Sequence, residues 1–246
     1  MPNPYFRFKQ FTVYHDRCAM KVTTDSSFFG AWAAQEIKNS NPNSYREKIE
    51  NVLDIGAGTG LLSLMIAQNN VVKIEAVEID HEASIQAREN VEASPWKNSI
   101  KVLNADIRSF HPQKKYDCII SNPPFYENEL ASEVTKKNIA HHSEELTISD
   151  VLQFIKIHLS GEGIFFLMYP FKRKSEVDGM LRQYELYVIN SVILVQSARH
   201  SPLRVIIKGS NKKIVGAEPV SIAIWDQNQQ YTDAFINLLK DYYLYL

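Results

Sequence analysis

A chain of 246 residues, 45% hydrophobic and 22% charged, falls in the ordinary globular range and can bury one large core without dividing. Its formal net charge of -1 excludes a protein that holds polyanions nonspecifically through a strong basic field, while leaving room for a local basic face. Met1-Pro2-Asn3-Pro4 offers no basic stretch followed by an apolar one, and no apolar run approaches about 18 residues, so a cytoplasmic protein without membrane spans is expected.

From the N-terminus, Tyr5, Phe6, Phe8 and Phe11 interleave with Arg7 and Lys9. That pattern suits either a strand packing alternate aromatics inward or a surface that stacks on bases beside cations. Residues 39–47 (NSNPNSYRE) have loop composition and set a segment, 1–48, apart from a core over 49–246, the two forming a single domain over 1–246. The apolar run Ile49 to Ile55 ends at Gly56, and after Gly60 the residues Leu61, Leu62, Leu64, Met65 and Ile66 suit a buried helix, so strand, tight turn and helix follow one another. Val71 to Ile79 predicts a second strand and His81 to Glu92 a helix. Ile100 to Leu103 and Tyr116 to Ser121 read as two more strands. Thr147 to Leu159 predicts a helix, Gly163 to Met168 a fifth strand, and Lys172 to Gln183 another helix.

Beyond this point Leu186 to Val195, Leu203 to Lys208 and Val220 to Trp225 are strand-like, with no long helix between the first two, and Tyr231 to Tyr243 predicts a last helix. The expected fold class is α/β: a doubly wound, mostly parallel, Rossmann-like sheet closed by an antiparallel C-terminal hairpin. Cys18 and Cys118 lie far apart, and both are expected to be reduced and structural.

The turn Asp54-Ile55-Gly56-Ala57-Gly58-Thr59-Gly60 opens a cofactor reading, because glycines between strand and helix leave backbone N–H groups within reach of a ligand. A dinucleotide fingerprint needs a sixth-place glycine, which here is Leu61, so NAD loses ground. S-adenosylmethionine carries no phosphate and gains it. Asp54 suits that molecule's ammonium, Glu78 both ribose hydroxyls, and Asp106 the adenine amine, all at the carboxyl edge where open α/β sheets bind ligands.

Asn122-Pro123-Pro124-Phe125 follows the fourth core strand. The Asn122 side-chain oxygen and the Pro123 carbonyl can each accept one N–H of a planar amine. Phe125 can stack on its ring, and the prolines stiffen the loop. Such an arrangement frees the amine's delocalised lone pair for attack on a sulfonium methyl without a general base.

With these motifs the chain resembles class I S-adenosylmethionine-dependent methyltransferases of the amino-methylating kind. Phe8-Lys9-Gln10-Phe11, Cys18-Ala19-Met20-Lys21-Val22-Thr23-Thr24-Asp25, Gly30-Ala31-Trp32-Ala33, Tyr231-Thr232-Asp233 and Asp241-Tyr242-Tyr243 narrow the likeness. Together they resemble the bacterial tRNA1(Val) adenine-N6 methyltransferases. The resemblance implies N6-methylation of the adenosine on the 3′ side of the anticodon, with tRNA as partner. It also implies that the N-terminal segment closes over the cofactor, making Lys21, Thr23, Thr24 and Asp25 candidate contacts beside Asn122.

A tRNA substrate calls for phosphate contacts. The candidates are Arg7, Lys9, Lys136, Lys137, Lys172, Arg173, Lys174, Arg199 and Arg204. No metal is expected, since the His141-His142 pair lacks cysteine or carboxylate partners at ligand spacing. A monomer is expected. Two other functions fit parts of the pattern: glutamine methylation of a release factor, whose amide poses the same geometric problem, and a non-catalytic RNA-binding scaffold.

Overall fold

Apolar runs too continuous for a sheet with one wet face build the centre of the molecule. The computed structural model describes residues 3–40, 48–124 and 146–246; the sequence candidates Phe125, Lys136, Lys137, His141 and His142 lie outside these. In chain order the elements are β1 (Tyr5–Arg7), β2 (Thr12–Tyr14), α1 (Thr24–Ser40), β3 (Asn51–Ile55), α2 (Leu61–Asn69), β4 (Lys73–Glu78) and α3 (His81–Glu92). There follow β5 (Ile100–Asn104), β6 (Tyr116–Ser121), α4 (Ile148–His158), β7 (Leu159–Pro170), a 3-10 turn (Phe171–Arg173) and α5 (Lys174–Gln183). The last elements are β8 (Tyr187–Ser197), β9 (Pro202–Ser210), β10 (Val220–Trp225) and α6 (Asp233–Leu239).

Eight strands form one sheet in the order β10-β8-β9-β7-β6-β3-β4-β5. Only β9 runs antiparallel, to β7 on one side and β8 on the other. The antiparallel hairpin expected near the end is β8–β9, but its second strand is inserted between β7 and β8 instead of adding to the rim. β10 then pairs parallel to β8 at the edge.

Successive residues of a strand point to opposite faces, and both faces are covered here. Val52, Cys118, Ile120, Phe166 and Ile206 join one core with α1, α2 and α6, whereas Leu53, Ile119, Phe165, Leu167 and Ile207 join another with α4 and α5. Phe8 and Phe11 belong to the first core, stacked 4.5 Å apart, with Phe11 edge-on to Trp96. Inward packing therefore claims these two rings, while Tyr5 stays exposed on the β1–β2 hairpin. Helix α4 starts at the Thr147–Asp150 capping box. The final helix is shorter than its composition suggests. Thr232 caps it, accepting from the Phe235 N–H, and Tyr231 is held in a β-bridge to Trp225.

Gly209 marks the tightest contact between β9 and its neighbours. A Cβ there would run into the Phe165 ring and lie 2.8 Å from the Tyr187 carbonyl oxygen. Gly209→Ala is expected to destabilise the fold by about 1–3 kcal/mol through overpacking, read as a lower urea midpoint at unchanged m-value. Neither thiol is poised to react: burial pushes Cys18 up to about 12 and raises Cys118 as well. No helix among the described residues is long and apolar enough to cross a membrane.

Candidate functional site

The carboxyl ends of β3, β4, β5 and β6 lie side by side, and most of the candidate residues stand there. Leaving β3, the chain passes Gly56, Gly58 and Gly60 at φ of 69°, 53° and 79°, a left-handed conformation that side chains disfavour. Gly56 and Ala57 both donate their N–H to the Val77 carbonyl, which folds the turn towards β4. A Cβ at Gly58 would meet nothing within 4 Å, so the turn faces open space.

Glu78, at the end of β4, accepts from the Gly58 N–H at 2.7 Å and the Asp80 N–H at 2.9 Å. A carboxylate offers about four lone-pair positions, so acceptor capacity remains for a pair of hydroxyls. Burial raises the Glu78 pKa, and these two backbone donors oppose that rise.

Asp54 is fully buried. Its Oδ2 accepts from Ser63 Oγ at 2.7 Å, while Oδ1 has no partner. Desolvation pushes its pKa up to about 7, partly offset by the Ser63 bonds and reinforced by the charge of Glu78. An unmatched acceptor beside a glycine turn fits a ligand cation.

Asp106 sits at the rim of a small apolar slot lined by Ile55, Gly56, Val77, Ile79 and Ile107. In this structure Arg108 holds Asp106 in a fork, with Nε–Oδ2 2.9 Å and Nη2–Oδ2 2.7 Å, and that bonding keeps the Asp106 pKa below the usual carboxylate range.

Across from the glycine turn, β6 ends at Ser121, whose register partner on β3 is Ile55. Ser121 Oγ donates to the Ile55 carbonyl at 2.8 Å and ties the two strand ends together. Asn122 thus leaves the sheet beside Gly56, one strand spacing of about 4.8 Å away. Pro123 is buried, whereas Asn122 and Pro124 are half-buried. Asp54, the three glycines, Glu78, Asp106, Asn122 and Pro123 are therefore gathered at one edge.

The N-terminal candidates form a cluster of their own. Asp25 is buried and accepts from Thr23 Oγ1, from the Ser26 N–H at 3.0 Å and from Arg204 Nε at 2.8 Å. Lys21 and Thr23 are exposed and Thr24 half-buried. Arg204, a phosphate candidate by sequence, is thus an ion-pair partner that bolts the start of α1 to β9. Arg204→Ala is expected to cost about 1–2 kcal/mol by leaving Asp25 unpaired, with Arg204→Lys recovering part. Chemical denaturation reads both.

Sequence reasoning missed Asn90. From the buried face of α3 its amide nitrogen donates to the carbonyls of Tyr14 and Thr59, both at 2.9 Å, and its oxygen accepts from the Tyr14 N–H at 3.0 Å. It thereby clamps the N-terminal hairpin to the glycine turn. The available signal was an asparagine between Ala87 and Val91 on an apolar stripe. Among the other phosphate candidates, Arg173 pairs with Glu176, Lys174 with Asp178, and Lys9 Nζ donates to the Lys240 carbonyl. Arg7 lies in β1, Lys172 in the 3-10 turn after β7, and Arg199 is exposed in the β8–β9 turn. Among the described residues no group of three or more His, Cys, Asp or Glu could hold a metal ion.

Comparison with known proteins adds to this geometry. Residues 41–162 match the family model "Methyltransferase small domain". Three curated relatives carry the name tRNA1(Val) (adenine(37)-N6)-methyltransferase. They come from Parabacteroides distasonis (34% identical, 99% of each chain covered), Phocaeicola vulgatus (39%, 99% of each) and Trichodesmium erythraeum (40%, 97% of each). Among solved structures, a predicted O-methyltransferase from Agrobacterium tumefaciens superposes with a TM-score of 0.60 at 16% identity, covering 87% of this chain and 95% of that one. A putative RNA methyltransferase from Pyrococcus horikoshii reaches 0.54 at 18% identity, covering 76% and 83%. These structural likenesses establish the fold, a Rossmann-like methyltransferase sheet.

Proposed function

The chain belongs to the family of tRNA1(Val) (adenine(37)-N6)-methyltransferases, and on that premise we propose that it methylates N6 of an adenine in tRNA, the adenosine 3′ of the anticodon in tRNA1(Val). The observation that carries this reading is the Ile55–Ser121 register, which sets the Asn122-Pro123-Pro124 corner beside the glycine turn. S-adenosylmethionine is the methyl donor, and bound at the edge it supplies an electrophilic methyl group on a sulfonium, leaving as the neutral thioether.

The residues present fit that donor. The orphaned Asp54 Oδ1 suits its ammonium, Glu78 its ribose hydroxyls, and Asp106, at the strand-end edge, its adenine amine. Lys21, Thr23, Thr24 and Asp25 remain proposed contacts from the N-terminal side, with Asp25 acting in its Arg204-paired form. At the acceptor corner the Asn122 Oδ1 and the Pro123 carbonyl each take one N–H of the target amine. Both bonds draw electron density towards nitrogen and orient its lone pair towards the sulfonium methyl. Orientation of this kind is worth several of the roughly 7–11 kcal/mol available from proximity. Asparagine takes up no proton at neutral pH, so the proton of the methylated amine passes to water.

Incubation with labelled donor and total tRNA from a strain lacking the enzyme, followed by nucleoside mass spectrometry, tests the reading. N6-methyladenosine next to the anticodon is the expected product. Its absence, with label transferred to a glutamine in a parallel incubation with release factor, would overturn the nucleic-acid substrate while keeping the corner's chemistry.

A further inference from the structure

Outside the edge described above, a polar cleft with an exposed arginine lies at the far end of the same sheet edge. Strand β8 is antiparallel to β9, and β9 to β7, so β8 and β10 end on the side where Asn122 emerges. Counting strands from β6, β8 stands three spacings away and β10 four, about 14 and 19 Å. Between the turn after β8 and the loop after β10, Ser197, Arg199, His200, Trp225, Gln227 and Gln229 line a cleft of about 510 Å³.

A column of aromatic rings ends in it. Phe28 stacks on Phe235, Phe235 on Tyr231 at 4.6 Å, and Tyr231 on Trp225 at 4.1 Å, so the column runs from the buried core to the cleft and Trp225 is its last ring. The walls are fixed before any ligand arrives. Asp226 Oδ1 accepts the N–H groups of Asn228 and Gln230, and the Trp225–Tyr231 bridge closes the loop. On the opposite wall, His200 Nδ1 bonds Ser197 Oγ at 2.8 Å. Arg199 is exposed and makes no ion pair among the described residues, unlike Arg173, Lys174 and Arg204.

We propose that this cleft is a second RNA site, which takes a nucleotide of the anticodon loop a few positions from the methylated adenine, its base extending the Trp225 stack and its phosphate meeting Arg199. The inference rests on the tRNA reading above and deepens it. Stacking platforms combined with a cation are how proteins hold unpaired nucleotides, without needing a basic surface overall. The glutamines add neutral donors and acceptors for a base edge. One side wall is acidic at Asp226, yet its Oδ1 is spent on backbone amides. That arrangement favours a single phosphate at the Arg199 side over a continuous basic track.

The test uses the full chain, S-adenosylhomocysteine, and an anticodon stem-loop RNA carrying 4-thiouridine at loop positions. Cross-linked peptides are mapped by mass spectrometry and RNA affinity is read by filter binding. Cross-links within 196–200 or 225–230 are expected. Arg199→Glu should raise KM for tRNA about tenfold and lower the salt slope of binding by about one, with kcat and donor affinity within about twofold. Arg199→Lys should recover most of the loss. Trp225→Phe should retain binding that Trp225→Ala loses, with melting temperatures reported for each. Cross-links confined to other peptides, or an Arg199→Glu variant that binds RNA like the wild type, would overturn the proposal. Filter binding does not require turnover. If the wild type methylates no adenine and RNA affinity still depends on Arg199, the catalytic reading falls and the cleft stands. If methylation proceeds and Arg199→Glu changes nothing, the cleft falls alone.

Discussion

Asn122→Ala is expected to lower kcat on tRNA by about 10² to 10³, the cost of losing one preorganised polar group at a reacting centre. Donor affinity should change little. The side chain leaves β6 directly after Ser121, whose bond to the Ile55 carbonyl locks that strand end against β3. Removing the Asn122 amide therefore subtracts an acceptor from the corner without loosening the scaffold that positions it. The Pro123 carbonyl survives the change, so residual activity should remain. Asn122→Asp keeps an acceptor oxygen and should fall less than Ala. Single-turnover rates with saturating donor and tRNA separate this chemical loss from binding. A rate within tenfold of wild type for the Ala variant would remove Asn122 from the reaction.

The second large effect concerns Asp54 and pH. Its folded pKa, pushed up to about 7 mainly by burial, exceeds the ordinary value of 3.8. Between these values the folded state binds more protons than the unfolded one, so stability falls as pH rises through that window and levels off above about 7. At 1.36 kcal/mol per unit, the fall is at most about 4 kcal/mol. A donor ammonium favours the carboxylate and expels its proton. Donor affinity should therefore climb from pH 5.5 towards 7 and then flatten.

Asp54→Asn should abolish that climb and weaken the donor by about 10- to 100-fold at pH 7.5, from the loss of a charged hydrogen bond of about 1.5–3 kcal/mol. It should also remove most of the pH-dependent loss of stability, since an amide buries no charge. Calorimetric titrations and melting curves at pH 5.5, 6.5 and 7.5 read both effects. A wild-type affinity that is flat across this range would mean that Asp54 does not face the donor.

Much of the site was legible because its residues are constrained locally. Gly56, Gly58 and Gly60 announce left-handed backbone at three alternate positions, which only a specialised turn needs, and the structure places all three there. The limits of α3 and β6 agree with the sequence expectation because Asp80 caps one and the Pro-Pro corner ends the other. Other roles were illegible because a side chain's partner is chosen by the fold. Arg204 lies 179 residues from Asp25, and nothing local distinguishes it from a cation meant for phosphate. Arg108 in its fork with Asp106, and Asn90 between hairpin and turn, are likewise tertiary assignments.

By itself, the sequence determined the alternation of strands and helices, the glycine turn and the Asn-Pro-Pro corner that ends β6, since backbone conformation and hydrophobic period are properties of neighbouring residues. Only the tertiary structure decided that β9 slips between β7 and β8, that Phe8 and Phe11 face the core, and that the ring column ends at Trp225 beside Arg199. Strand order and side-chain partnership depend on which surfaces the whole chain can bury at once, and no short window of residues carries that information.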